Sequence, residues 1–358
     1  MRFVLALLAV GCSHHSSDSP EVVQAPKGDT MKSYAQQVNS AALTPVGSVD
    51  NLLTELLAVA PEGATWASVF SANVRFFEGV RETRAITQQH TAAASIGFSP
   101  DGKTLRLGLH DVDVATGALA PQPPVPDLAA WATAAGLPAP PTLALPAARK
   151  SDDGNLIVVG ATGVTRDRKA GLEKPRSGDV DWLIALDGAT RTPLAVLWHG
   201  RGPITAIAIS ARHVAAGGNP VHVFARDALA KELRAGGGPP QVSALAWSPG
   251  GELLAAIGGG KRVAVWRVDR FDAPAASWDD GGDYQSGIAF HPTRPLLAVG
   301  NRDGHVRIFG VADAQLATPP LLVDRYIGKS VSAVAFAPDG TLYVATEGRV
   351  AWFGASLH

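Results

Sequence analysis

SVSAVAFAPDGTLYVATEGRVAWFG, from Ser330 to Gly354, holds three apolar runs, Val331–Phe336, Leu342–Ala345 and Val350–Phe353, separated by short polar turns. Runs of about four to six β-branched and aromatic residues, bounded by Gly, Pro, Asn and Asp, are what half-buried strands require. Looser copies recur back along the chain. With the tight turn Asp339-Gly340 as anchor, the same place is held by Thr293-Arg294, Gly250-Gly251, Asp153-Gly154, Asp101-Gly102 and Glu62-Gly63, with Arg212 in a degenerate copy. A period of about 40–50 residues, stretched where insertions fall, marks a repeat architecture. The units are strand-like and seven in number, which predicts an all-β fold, a seven-bladed β-propeller, with six or eight blades as the alternatives.

The other units follow the same order. The sixth reads Gly287–Phe290, Leu296–Val299 and Val306–Phe309; the fifth reads Val242–Trp247, Leu253–Ile257 and Val263–Trp266. Small residues such as Ala335, Ala246 and Ala289 let neighbouring strands crowd toward a central axis. The second unit is Ala94–Phe98, Thr104–Leu109 and Asp111–Val114, the fourth Ile204–Ile209, His213–Ala216 and Val221–Phe224. The third is stretched: Leu143–Pro146, Leu156–Val159 and Trp182–Leu186. In the first, Leu56–Val59, Thr65–Phe70 and Val74–Phe77, Asp50 ahead of Asn51–Ala58 suits a short helix as well as a strand. The seventh unit lacks an outer strand, and residues 43–48 are placed to supply it, closing the ring and hiding its sheet edges. Pro45 fits such an outermost strand, where one missing N–H is tolerated.

Composition suits many short buried strands joined by tight turns: 38 Gly, 26 Pro, and only 18% charged residues. A net charge of −1 provides no broad field for nucleic acid, and no such partner is expected. The single cysteine, Cys12, leaves no disulfide or thiolate-metal framework in the folded part. Met1-Arg2, the apolar Phe3–Val10 and then Ala9-Val10-Gly11-Cys12 read as an export signal, too short to span a bilayer. It resembles a bacterial lipoprotein signal, in which the cysteine is lipidated; Ala9 stands where the usual leucine would be. The organisation that follows is a signal at 1–12, a flexible polar tether at 13–41 and a propeller domain at 42–358. The expected location is the cell envelope, lipid-anchored on an outer-membrane or periplasmic side, with secretion as the alternative.

The turns Ser99–Gly102 (SPDG) and Ala337–Gly340, the string GNRDGHVRIF at Gly300–Phe309, and Val112-Asp113 before Thr116-Gly117 resemble the WD-repeat family. Elsewhere the family's Trp-Asp ending becomes Phe77-Glu78, Leu186-Asp187, Phe224-Ala225, Trp266-Arg267, Phe309-Gly310 and Phe353-Gly354, so its internal Asp-His network is not carried over. The resemblance implies a monomeric platform for protein partners, without a cofactor and without catalysis. Its alternatives are a propeller hydrolase, lactonase-like and metal-dependent, or a structural subunit of an outer-membrane assembly or transport complex.

Turns between second and third strands share a face with the links between blades, and variable loops on rigid scaffolds carry function. Two insertions fall there. Asp127–Leu137 predicts a short helix capped by Asp127 and stopped by Gly136 and Pro138. Ala161–Val180 carries Arg166, Arg168, Lys169, Lys174 and Arg176. The link Trp278–Tyr284 places Trp278, Asp279, Asp280, Asp283 and Tyr284 on the same rim, with Arg325-Tyr326 and the pair His199 and Arg201 in further links. These are the candidate partner contacts, since aromatics and arginine dominate binding hot spots. The three carboxylates also admit a hard cation such as calcium, but their spacing is not that of a helix-loop-helix calcium site, and no metal is expected. No GxSxG, HExxH or phosphate-loop pattern occurs. His90, His213, His222, His291 and His305 lie at strand ends or turns and read as structural. Ser332, Ser243, Ser286 and Thr205 stand where a hydrolytic propeller would need carboxylates.

Overall fold

Alternation of apolar and small residues along each repeat produces seven antiparallel sheets, arranged as the blades of a β-propeller. The structure, a computed structural model, describes residues 43–87, 95–134, 136, 143–167, 172–175, 181–200, 202, 204–218, 220–233, 235–282, 284–311, 319 and 321–355. The signal, Cys12 and the tether lie outside them, as does His90.

Blade 6 shows the pattern in full: Gln285–Phe290 innermost, then Leu296–Asn301, His305–Gly310 and Leu321–Tyr326. Among the described residues blades 1, 5 and 7 also have four strands, while blades 2 and 4 have three. The inner strands touch one another in turn around the axis. Between blades lie apolar layers; one joins Leu297, Val299 and Phe309 of blade 6 to Ile257, Val265 and Trp278 of blade 5. Five anchor turns hold a glycine at positive φ, among them Gly102 (71°) and Gly340 (89°), where an L side chain would be strained.

The ring closes as the sequence predicts. Leu43–Asp50 pairs antiparallel with Arg349–Ala355 and forms the outer strand of blade 7, between Leu43↔Ala355 and Asp50↔Arg349. The register shifts between Pro45 and Gly47, so the proline sits at an irregularity in an edge strand. The helix alternative near Asp50 is not realised: Asn51 takes a left-handed φ of 59° and the chain re-enters blade 1 as the strand Leu56–Val59.

Several boundaries move. The third strand of blade 2 is His110–Asp113, the inner strand of blade 3 runs on to Lys150, and that of blade 6 starts at Gln285. The described residues of the insertion in blade 3 are strand: Leu156–Asp167 extends beyond the sheet and pairs with Leu172–Pro175. The other insertion forms a helix, Leu128–Ala134, whose Ala130 N–H donates to Asp127 Oδ1 at 2.9 Å, with Gly136 at φ 75° beyond it. Its Leu128 and Ala132 pack on Ile157 and Trp182 of blade 3. No helix among the described residues is long and apolar enough to cross a membrane.

Candidate functional site

Each inner strand begins at a blade-to-blade link and ends at the turn into the second strand. The links and the turns between second and third strands therefore share one face. Around blades 5, 6, 7 and 1 this face exposes aromatic and apolar side chains. Tyr284, in the link from blade 5 to blade 6, is 38% exposed, and the Arg302 guanidinium lies 4.7 Å over its ring. The Arg302 N–H donates to Tyr284 O at 2.9 Å, fixing the turn of blade 6 against the link. Asp279 bends that link by accepting from Gly281 N–H at 2.8 Å.

Tyr326 ends the outer strand of blade 6 and is 61% exposed. Its hydroxyl donates to Gly328 O, and its ring lies 5.2 Å from His305, whose Nδ1 is 2.6 Å from Asp324 Oδ1. Beside it a cleft of about 470 Å³ opens between blade 6 and the closing strand, lined by Pro45, Ser48, Tyr326, Gly328, Arg349 and Phe353 among others. Leu53, in the link from blade 7 to blade 1, and Phe70, in the turn of blade 1, extend the exposed apolar surface. Arginine beside tyrosine, with aliphatic neighbours, is the composition of a protein-binding hot spot.

The other predicted contacts separate. Trp278 is a core residue, not a surface one: it is buried and meets Phe309 edge-on at 5.0 Å, because its strand faces the layer between blades 5 and 6. Arg325 belongs to the strand Leu321–Tyr326 and not to a link; its guanidinium donates to Leu43 O at 2.8 Å and lies over Phe353, clamping the ring closure. His199 is exposed on the outer strand of blade 3, its ring 6.4 Å from Trp182. Arg166 and Lys174 fall on the paired strands of the hairpin, opposite Glu173 and Thr165. Asp283, Arg201, Arg168, Lys169 and Arg176 lie outside the described residues.

Asp280 is also buried, contrary to its reading as a surface acid. Oδ1 accepts from Gly282 N–H at 3.1 Å, while Oδ2, Gln285 Nε2 and both amide atoms of Asn301 have no partner in good geometry. Burial pushes the Asp280 pKa up; Gly282 N–H, the Arg307 charge, and the nearby Gln285 and Asn301 amides oppose the rise without cancelling it. The sequence carries a signal for this buried node. Gln285 occupies the place that Val242 and Val331 hold at the start of blades 5 and 7. Among the described residues no cluster of His, Cys, Asp and Glu is arranged to hold a metal ion.

The segment that carries Tyr284, Gln285, Asn301 and Arg302 also matches a family model. Residues 281–310 match the WD domain, G-beta repeat. The Ribosome biogenesis protein BOP1 homolog of Chlamydomonas reinhardtii is 38% identical over 104 residues, 29% of this chain and 13% of that protein. WD repeat-containing protein 55 of Rattus norvegicus is 46% identical over 55 residues, 15% of this chain and 14% of that protein. The chain thus spans only a small part of the curated relatives it matches. Among solved structures, a chain of the Crystal Structure of Mitotic Checkpoint Complex aligns with a TM-score of 0.62 over 87% of this chain and 94% of that one. At 17% identity that likeness is one of fold.

Proposed function

We propose that this chain is a non-enzymatic protein-interaction platform of the cell envelope, lipid-anchored through Cys12, and that it receives its partner on the face carrying Tyr284, Arg302 and Tyr326. The observation that carries the reading is the convergence of exposed Tyr284, Tyr326, Leu53 and Phe70 with Arg302 on one face of a rigid disk. The WD-repeat match supports it. Fold alone does not assign function, so the surface bears the weight.

Affinity capture from detergent-solubilised envelope with the full chain tests the proposal. Combined Tyr284→Ala and Tyr326→Ala is expected to reduce recovery of the partner at least tenfold while the melting temperature stays near that of the parent. Deleting residues 168–171 from the basic insertion asks whether that insertion contributes; undiminished recovery assigns binding to the tyrosine surface alone. Equal recovery from the double tyrosine variant removes this face from the reading. Cys12→Ala is expected to abolish fatty-acid labelling and release the chain from membranes, and persistent labelling refutes the anchor.

A further inference from the structure

The opposite face of the disk, where inner strands turn into second strands, carries one charge at the axis. Each inner strand ends one residue before the equivalent turn residues Ala60, Ser99, Ser151, Ser210, Ser248, His291 and Ala337, whose N–H groups each close the turn onto the start of the second strand. In six blades the residue two places before that point is small: Ala58, Gly97, Ala208, Ala246, Ala289 and Ala335. In blade 3 it is Arg149. Arg149 is thus the one long, charged side chain at this position, and its guanidinium reaches from blade 3 to the inner strand of blade 2.

Arg149 makes one hydrogen bond, a long one of 3.4 Å from Nη1 to Ile96 O on the inner strand of blade 2. A Cβ built on Gly97 would lie 3.7 Å from its Nη2, so the side chain rests against that neighbouring inner strand, where a larger residue would crowd it. Among the described residues no carboxylate is within ion-pair distance of it. The nearby cations are committed elsewhere: Arg106 donates to Ser151 O at 2.6 Å, and Lys150 pairs with Asp111 at 2.7 Å. Burial pushes the Arg149 pKa below the ordinary arginine value, Asp152 opposes that and Arg106 adds to it. Arginine nonetheless stays charged in proteins, so its charge is partly desolvated and incompletely balanced.

We propose that the axial mouth on this face is a binding site for a single compact oxyanion of phosphate or sulfate size, held by the guanidinium fork of Arg149. The fork offers two parallel N–H donors to such a group, and the alanine and glycine positions around it leave space for the remaining oxygens. Asp152, exposed on the adjoining turn, weakens the site by its like charge. The proposal is independent of the tyrosine surface, which lies on the other face.

The test uses the full chain at pH 7 with inorganic phosphate as the probe and sodium chloride at matched ionic strength as the reference. Phosphate is expected to raise the melting temperature by about 2 °C beyond chloride. Calorimetric titration should show Arg149→Gln binding at least tenfold more weakly and Asp152→Asn binding severalfold more tightly. The double Tyr284/Tyr326 variant should bind phosphate as the parent does. No phosphate-specific shift in the parent, or an unchanged shift in Arg149→Gln, overturns the site. If Arg149→Gln does not fold, Asp152→Asn decides: affinity equal to the parent's also overturns it.

Discussion

Blades 4 to 7 and blades 1 to 3 are joined to their neighbours by different chemistry. In the first group the same inner-strand position holds Thr205, Ser243, Ser286 and Ser332. Each hydroxyl donates to a carbonyl at the entry to the next blade's inner strand: Val242, Gln285 (3.2 Å) and Val331 at the strand start, and Thr54 (2.6 Å) two residues ahead of it. The equivalent residues in blades 1 to 3 are Glu55, Ala94 and Pro146, none with a hydroxyl. There the joint between blades 2 and 3 is made by Ser95 Oγ to Ala148 O at 2.6 Å, one residue out of step, and by Arg106 to Ser151 O. A repeated hydroxyl fixes a repeated register, because it can reach its carbonyl only when adjacent blades are equally spaced. Long cationic side chains tolerate unequal spacing, and both insertions fall in this second group.

The seam between the two groups should be the most sensitive place. Trp66 of blade 1 is fully buried, stacked on Phe77 at 4.1 Å and within about 6 Å of Tyr343 and Trp352 of blade 7. Trp66→Ala is expected to destabilise the fold by about 3–5 kcal/mol in urea unfolding, since the large cavity cannot collapse between two rigid sheets. A loss under about 1 kcal/mol would mean that the seam is looser than its packing implies.

The hydroxyl joints should contribute less, and alike. Ser332→Ala and Ser243→Ala are each expected to cost about 1 kcal/mol, the net worth of one buried hydrogen bond. Ser95→Ala, on the irregular side, should cost a similar amount alone. Combined with Arg106→Ala, however, it should exceed the sum of the singles, because both hold the same pair of blades. Strict additivity there would break the distinction between a stitched half and an adaptable half.

The same division governs what the sequence revealed. Blades 5 to 7 were legible because a serine near the start of the inner strand and an alanine near its end recur in each at similar spacing, and the closing strand followed from the strand that blade 7 lacked. In blade 3 the inner strand was read short at Pro146, since proline suggests an end; the pairing instead continues to Lys150 across an irregularity near Thr162. The insertion with Arg166 and Lys174 read as a loop because its residues show no apolar alternation in the sequence. Tyr284 and Tyr326 stand out in the sequence as aromatics in polar links, and both are exposed in the structure; the exposure of Leu53 and Phe70 was not legible, since single exposed residues carry no periodic signal. Trp278 was misplaced for a related reason: an aromatic beside three acids looks like a rim, yet the strand Ala276–Asp279 turns it inward.

Asp280 gives the smallest effect and the clearest sign. Its folded pKa is raised above 3.8, chiefly by burial, so the folded state holds this proton more tightly than the unfolded chain does. The stabilisation from protonation is therefore complete below about 3.8 and lost as pH rises through the raised value. Above that raised value the charged carboxylate is buried with one oxygen unpartnered beside the Asn301 amide. Asp280→Asn removes that charge without removing the shape, and should raise the melting temperature at pH 7 by up to about 2 °C and by less at pH 4. The distant joints at Ser332 and Ser95 should show no such pH dependence. A variant that instead melts lower at pH 7 than the parent would show that the Asp280 charge stabilises blade 6 through Arg307, making this node an ion pair at the heart of the regular half.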